Sequence, residues 1–504
     1  MKSAANLFRA GGEIGSKNLN CQGMQKTTTP DAPDMIGPIL VLDDIRDDTM
    51  HLSALFFGTV AMAPGPIGVD GQEMHAVILV SCGARALWRV RLRRPAHQAS
   101  TYSWNGTVYD LAGGMGADMR IAFVSCNGEE NRDLDRDAEE RNIMWARLAR
   151  QHERAPFALL LHGGDQIYAD EATKGHPLSE DWPKDIPQDP SKAGLEDLRR
   201  HLRAAFFDRY AAVYSAPEMV WLCARVPSLM QWDDHDICDG WGSLQRSRTY
   251  SPVGQAIFAV AREMALGFQH AAADGDLPAR FADPKGLHLG WQVEADGLRI
   301  LAPDLRSERT RRQIMGEGGW SLMEAARDSR FAGRTLLMSS VPLLAPRLSL
   351  LEGVMVLHPK MLKYEDDLRD QWQSRAHRDE WRRMLTLLCD MNAAGSSGIT
   401  VVSGEIHLAA RATMALGGGG VLNQLTASGI SHRAPPQLWA RALGALSWLG
   451  DAPLDGHPIR MQRVPGQRGL FVAERNFLTL MRHDGAWTAC WDLETSGMTG
   501  ALDI

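Results

Sequence analysis

Residues 231–242 read Gln-Trp-Asp-Asp-His-Asp-Ile-Cys-Asp-Gly-Trp-Gly and bring together four carboxylates and one histidine. The preceding apolar stretch, residues 226–232, predicts a buried strand, and the glycines that follow predict a loop. Crowded carboxylates repel one another and lose solvation when they are partly buried, and a multivalent cation is the usual compensation. Because open α/β sheets place their sites at the carboxyl ends of strands, this stretch predicts a metal site in such a sheet. An acidic surface turn is the simpler alternative, although Trp232 and Trp241 argue against full solvation.

Composition restricts the class of protein. The 504 residues are 44% hydrophobic and 23% charged, as in soluble globular proteins. A net charge of -7 gives no reason to expect specific nucleic-acid binding. A phosphorylated substrate is still compatible with this charge, provided that metal ions or arginines make the site itself positive. We see no secretory signal, and the apolar run over residues 52–63 is too short to span a bilayer. The seven cysteines are an odd number and widely scattered, which favours a reduced compartment over a disulfide framework. We therefore expect a cytoplasmic protein without membrane partners.

The chain divides into three parts by pattern. Residues 1–34 are polar and aperiodic and predict a mobile tail. Residues 35–118 form short runs between turn residues, including a hairpin signal at Asn105-Gly106, and predict a small all-β sandwich domain. Residues 119–504 alternate strand and helix patterns and predict a mixed α/β sandwich flanked by helices. The expected helices cover residues 141–152, 195–214, 254–270 and 364–391, and the expected strands include residues 120–125, 157–162, 298–302 and 399–403.

Four predicted strands end in candidate metal ligands. Besides the opening stretch, these ends are Ser125-Cys126, Gly164-Asp165-Gln166-Ile167-Tyr168 and Ser403-Gly404-Glu405-Ile406-His407. Each has a simpler interpretation: Cys126 as a small buried apolar residue, Tyr168 as packing, and His407 as a hydrogen-bonded core histidine. Glu405 and His407 alternate along a strand and are expected on one face. Four such ends in one domain predict donors that converge on one edge of the sheet.

Taken together, the four blocks resemble the PhoD-like (alkaline phosphatase D) branch of the metallophosphoesterase superfamily. The matching motifs are Ser125-Cys126, Gly164-Asp165-Gln166-Ile167-Tyr168, Asp233-Asp234-His235-Asp236 and Ser403-Gly404-Glu405-Ile406-His407. The resemblance runs from about residue 37 to the C-terminus and implies a metallophosphoesterase-like β-sandwich preceded by a β domain.

The resemblance also implies roles for individual residues. Asp165 would bridge two metal sites, with Cys126, Tyr168 and His407 completing a ferric iron site. Asp234 and Glu405 would bind the second ion, calcium or alternatively manganese, magnesium or zinc. His235 would meet the phosphate and assist the leaving group. Glu405 departs from the family's usual Asp, which leaves the divalent ion open.

These residues predict hydrolysis of phosphomonoesters or phosphodiesters, in a small molecule or a polymer, by a metal-bound hydroxide. Arg306, after the strand over residues 298–302, is a candidate bidentate phosphate clamp, with a surface salt bridge as the alternative. His432 is a further candidate contact to metal or substrate, and residues 170–197 are expected to form a lid or specificity loop.

A metal-stabilised binding or regulatory protein with little turnover is the alternative function, and an amide or lactone hydrolase is a third. The oligomeric state stays open.

Overall fold

The computed structural model describes residues 35–116, 118–346, 370–447 and 450–504. The tail expected over residues 1–34 lies outside the described residues. The strands, in chain order, are β1 (Met35–Arg46), β2 (Thr49–Thr59), β3 (Ile67–Val69), β4 (Gln72–Met74), β5 (Val77–Cys82), β6 (Arg85–Pro95), β7 (Ser100–Trp104), β8 (Thr107–Leu111), β9 (Met119–Val124), β10 (Leu159–Gly163), β11 (Ser228–Gln231), β12 (Trp291–Ala295), β13 (Leu298–Ala302), β14 (Arg334–Met338), β15 (Gly398–Ser403), β16 (Ala409–Gly417), β17 (Gly420–Thr426), β18 (Asp451–Leu454), β19 (His457–Gln462), β20 (Phe471–Val472), β21 (Asn476–His483), β22 (Ala486–Leu493), β23 (Gly497–Met498) and β24 (Leu502–Asp503).

The strands build two large sheets and one small one. The first sheet has the order β23-β22-β21-β9-β10-β11-β1-β2-β6-β5, with β24 beside β22. The second has the order β12-β13-β14-β15-β17-β16-β19-β18, with β20 beside β16. Strands β9, β10 and β11 are parallel neighbours, as are β13, β14, β15 and β17. Parallel neighbours deliver the residues that follow them to the same edge of each sheet.

Between the two large sheets lies a shared apolar core. Ile121 and Leu160 of the first sheet belong to the same buried cluster as Met338, Val402 and Leu425 of the second. Strands that are covered on one face by a partner sheet and on the other by helices are mostly apolar along their whole length, as residues 157–161 and 399–402 are. The fold is thus the mixed α/β class that the sequence predicts.

The helices that flank the sheets begin at recognisable capping residues. Asp137, Ser191 and Ser251 each accept a hydrogen bond from the backbone N–H three residues later, and thereby satisfy a helix N-terminus. The described helices are α1 (Ala138–Arg154), α2 (Lys192–Tyr214), α3 (Pro217–Cys223), α4 (Arg246–Thr249), α5 (Pro252–His270), α6 (Glu317–Asp328), α7 (Arg378–Ala393) and α8 (Gln437–Leu446). Within the described ranges, no helix has the length and hydropathy needed to cross a membrane.

The helix expected over residues 364–391 is wrong at its start. Residues 364–369 lie outside the described residues, and residues 370–374 form turns and bends before a short 3-10 helix over Arg375–His377. Helix α7 begins only at Arg378. The Ser374 hydroxyl accepts a hydrogen bond from the backbone N–H of Ala376, a local bond that competes with helix formation.

The N-terminal strands extend the first large sheet. β1 pairs in parallel with β11, and β2, β6 and β5 continue the sheet from there, whereas β3, β4, β7 and β8 form a separate small sheet. The hairpin predicted at Asn105-Gly106 joins β7 to β8. The domain boundary at residues 118/119 stays a prediction, and residues 35–504 form one compact unit.

Candidate metal centre and active site

The four predicted strand ends meet at one place. Residues that follow β9, β10 and β11 in the first sheet face residues that follow β15 in the second. The backbone N–H groups of Cys126 and Asn127 donate to the carbonyls of Gly164 and Asp165, and thereby bind the first two strand ends together. The backbone N–H of His407 donates to the hydroxyl of Ser428, which follows β17. The site therefore lies where the carboxyl edges of the two sheets adjoin.

Four side chains form a first donor set. The Cys126 Sγ lies 3.5 Å from an oxygen of Asp165 and 3.1 Å from the Ser428 hydroxyl. The Tyr168 hydroxyl lies 3.5 Å from the same Asp165 oxygen and 3.0 Å from the His407 Nε2. Cys126, Asp165 and His407 each offer one ligand atom, and these atoms lie within 4.8 Å of one another. Thiolate, imidazole, carboxylate and phenolate donors in this arrangement fit a transition-metal ion.

The backbone at these positions adopts an unusual conformation. Cys126, Asp165, Glu405 and His407 have φ values of 55°, 53°, 68° and 53°, in the left-handed region that non-glycine residues rarely occupy. Each such residue costs on the order of 1 kcal/mol or more, and such strain is concentrated at functional sites. Glu405 and His407 therefore lie in a turn after β15, and their expected alternation along a strand is wrong.

A second donor set shares Asp165 with the first. Ligand atoms of Asp165, Asp233 and Asp234 lie within 4.8 Å of one another, and all three side chains are buried. One oxygen of Asp165 (Oδ1) and one of Asp233 (Oδ2) are buried without a hydrogen-bond partner. Buried carboxylate oxygens without a donor are costly unless a cation meets them. The residues present thus fit two cations that share Asp165, and carboxylates suit a hard divalent ion at the second position.

The pKa shifts of the donor side chains are also those expected of a site that binds cations. Burial and the neighbouring carboxylate of Asp233 raise the pKa of Asp165 well above its usual value. Burial, aided by nearby acidic groups, also raises the pKa of the Cys126 thiol and of the Tyr168 phenol well above their usual ranges. Burial lowers the pKa of His407, so this imidazole is neutral and free to bind a metal. Because thiols, phenols and acids lose protons on becoming ligands, cation binding here is coupled to proton release.

His235 is held by an acidic partner. Its Nδ1 lies 2.9 Å from one oxygen of Asp170, and the other Asp170 oxygen accepts a hydrogen bond of 2.7 Å from the backbone N–H of Asp239. Burial lowers the pKa of His235, but the carboxylates of Asp170 and Asp234 outweigh burial and hold it well above the usual value. The ring packs 4.3 Å from the ring of Tyr168, centroid to centroid. His235 is thus held by Asp170 and packed against Tyr168 of the first donor set.

Arg306 differs from its sequence-based prediction. Its side chain is fully buried, and its guanidinium donates to Asp233, to both oxygens of Asp370 at 3.0 and 2.6 Å, and to the carbonyl of Trp241. A guanidinium that is occupied in this way has no exposed fork to offer a phosphate. The geometry supports a structural ion pair behind the second donor set instead of the expected clamp.

Glu405 and His432 lie next to the donor sets. The Glu405 Oε2 accepts a hydrogen bond of 2.7 Å from the Gln371 Nε2. The His432 ring stacks on the His407 ring at 3.4 Å, and its Nε2 lies 3.5 Å from Glu130. The candidate roles of both residues in binding metal or substrate stay predictions.

Sequence reasoning missed three residues of the site. The family resemblance assigns no metal to Asp233, although this residue belongs to the second donor set and keeps a buried oxygen without a partner. Asp370 and Gln371 fall within the helix predicted over residues 364–391. The only sequence signal for them was the sequence Asp370-Gln371-Trp372-Gln373, which is unusually amide-rich for an exposed helix start.

Residues 170–197 were expected to form a lid or specificity loop. They begin with a short 3-10 helix, Asp170–Thr173, and their last six residues, from Lys192 onward, belong to α2. Through Asp170 this stretch contacts His235. The lid role stays a prediction.

Three comparisons relate this chain to known proteins. A family model described as PhoD related phosphatase matches residues 118–363. The uncharacterized protein YGR266W of Saccharomyces cerevisiae is 27% identical over 353 residues, which cover 57% of this chain and 50% of that protein. The chain thus spans about half the length of this curated relative. A solved structure of PhoD is 11% identical to this chain and matches it with a TM-score of 0.55. The match covers 96% of this chain and 93% of the PhoD chain, and it shows a shared fold. This chain is therefore similar to PhoD-related phosphatases over residues 118–363 and shares the fold of PhoD.

Proposed function

We propose that this chain hydrolyses phosphate esters at a site that holds two metal cations bridged by Asp165. The observation that carries the proposal is the shared position of Asp165, which belongs to both donor sets and keeps one buried oxygen without a partner. Asp165 Oδ2 faces Cys126 and Tyr168. Its other oxygen is the unpartnered one.

The two donor sets differ in chemistry and would hold different ions. Cys126, Tyr168 and His407 supply sulfur, phenol and imidazole, a set that suits ferric iron. Asp233 and Asp234, with Glu405 as a further candidate, would supply oxygen donors that suit calcium, manganese or magnesium. When bound, the two cations would neutralise charge on the ester and lower the pKa of a water molecule.

The protein's own groups would position and protonate the substrate. His235 keeps its Nδ1 on Asp170, which leaves the Nε2 free to donate a proton to the departing oxygen of the ester. Burial lowers the pKa of His235, but the carboxylates of Asp170 and Asp234 outweigh burial and favour its protonated form. Arg306 would hold Asp233 in place and would not touch the substrate.

Paired assays test the proposal. Purified protein would be supplied with ferric iron and calcium or manganese and assayed on an aryl phosphate monoester and the matching diester. We expect turnover of at least one ester, and its loss in Asp165→Asn. The matched control is Asp118→Asn, which changes an exposed carboxylate outside the site and is expected to leave the rate unchanged. Metal binding without turnover of either ester would instead favour a binding or regulatory protein.

A further inference from the structure

A short buried segment lies directly behind Glu405. The side chains of Asp370, Gln371, Trp372 and Gln373 are all buried, at 4%, 5%, 1% and 0% exposure. We call these four residues the 370–373 segment. Buried amides and acids of this kind are found where each polar group has a defined partner.

Three of the four side chains bind the scaffold. Asp370 accepts two hydrogen bonds from the buried guanidinium of Arg306. The indole N–H of Trp372 donates to the Ser339 hydroxyl at 3.3 Å. Gln373 donates to the carbonyls of Pro342 and Leu343, which follow β14, at 3.0 and 2.9 Å. The segment is therefore anchored independently of any ligand.

The fourth side chain, Gln371, points at the site. Its amide donates to one oxygen of Glu405 at 2.7 Å and leaves the other oxygen available. A glutamate has one more rotatable bond than an aspartate, so ordering its carboxylate costs more conformational entropy. The Gln371 bond removes this freedom before any cation arrives.

The chemical type of the donor also matters. An arginine or lysine at position 371 could also donate to the carboxylate of Glu405, but its positive charge would repel a cation. A neutral amide orients the carboxylate and keeps the negative charge of the cluster for the ion.

We propose that Gln371 is a positioning residue that fixes Glu405 for the second cation, and that the Gln371–Glu405 pair sets the affinity of that site for divalent ions. This inference rests on the proposed function, because it requires a divalent ion beside Asp233 and Asp234. It assigns no contact between Gln371 and the substrate.

Metal titration of the full-length protein tests the pair without an activity assay. After dialysis against a chelator, wild type, Gln371→Met and Gln255→Ala would be titrated with Ca²⁺ and with Mn²⁺ by calorimetry. Gln371→Met keeps the length of the side chain and removes the donor, and Gln255 is an exposed glutamine on α5. Loss of a residue that orients a metal ligand typically weakens metal binding by about 10- to 100-fold, and we expect this loss in Gln371→Met alone.

A double-mutant cycle separates positioning from general damage. An aspartate at position 405 is too short to keep the Gln371 bond, so Gln371→Met is expected to change the dissociation constant less than about twofold in the Glu405→Asp background. Equal weakening in both backgrounds would overturn the inference. If Gln371→Met does not fold, Gln371→Leu replaces it in the same cycle.

The outcomes distinguish this inference from the proposed function. Wild-type protein that binds neither Ca²⁺ nor Mn²⁺ would contradict both. Wild type that binds either ion, with Gln371→Met binding it within about twofold of wild type, would overturn the role of Gln371 and leave the proposed function standing.

Discussion

Replacing Arg306 by methionine is expected to destabilise the protein strongly. The Arg306 guanidinium is fully buried between Asp233 and Asp370, with Asp234 3.3 Å away. Removing one partner of a buried ion pair typically costs about 3–5 kcal/mol, because the remaining charge stays buried and uncompensated. Asp370 keeps Arg309 at 3.1 Å, whereas Asp233 loses its guanidinium partner, so we expect the free energy of unfolding to fall by about 3–5 kcal/mol.

The same variant should respond to cations. A divalent ion bound by Asp233 would compensate part of the charge that Arg306 leaves behind, so the loss should shrink when calcium or manganese is present. Urea unfolding followed by tryptophan fluorescence, with and without the ion, measures both values. Arg312→Met is the matched control, since Arg312 is exposed on the same loop and its loss should cost less than about 0.5 kcal/mol.

One result would refute this reasoning. If Arg306 held the phosphate, Arg306→Met would fold with unchanged stability and would raise KM. A change in unfolding free energy below about 1 kcal/mol, together with a raised KM, would restore the clamp hypothesis.

Three further predictions concern the site and its surroundings. Asp170→Asn should leave the metal content unchanged but lower kcat, because His235 loses its orienting partner. The rate should then depend more steeply on the pKa of the leaving group, and an unchanged dependence would argue against this role of His235. Tyr168→Phe should lose the visible absorption of a ferric phenolate, measured by spectrophotometry, and a colourless wild type loaded with iron would contradict the iron assignment. Burial lowers the pKa of His162 to about 4, so this histidine stays neutral in the fold while the unfolded chain takes up its proton below about pH 6.5. The contribution of His162 to stability should therefore fall by about 2 kcal/mol between pH 7 and pH 5, and His162→Gln should remove that part of the pH dependence measured by urea unfolding.

Local features of the site could be predicted from the sequence. Each strand end is a short apolar run followed at once by its donor, as in residues 157–165, so strand and candidate ligand are readable together. The hairpin at Asn105-Gly106 and the strand over residues 298–302 were predictable because their signals, a turn dipeptide and a mainly apolar run, are also local. Parallel strands in one sheet then bring such ends together.

The remaining features depend on contacts between distant residues. Nothing near Arg306 in the sequence shows that Asp233 and Asp370 will surround it. The role of Asp233 depends on which of its oxygens Arg306 and Ser340 occupy, and only the fold determines this. The segment containing Asp370 and Gln371 has helical spacing, but its buried hydrogen bonds draw it away from a helix.

Anomalous diffraction from crystals grown with ferric iron and manganese tests the central claim most directly, because it locates each ion independently of activity. The account predicts two peaks, one among Cys126, Asp165 and His407 and one among Asp165, Asp233 and Asp234, with Asp165 touching both. A single peak, or two peaks that do not share Asp165, would contradict it.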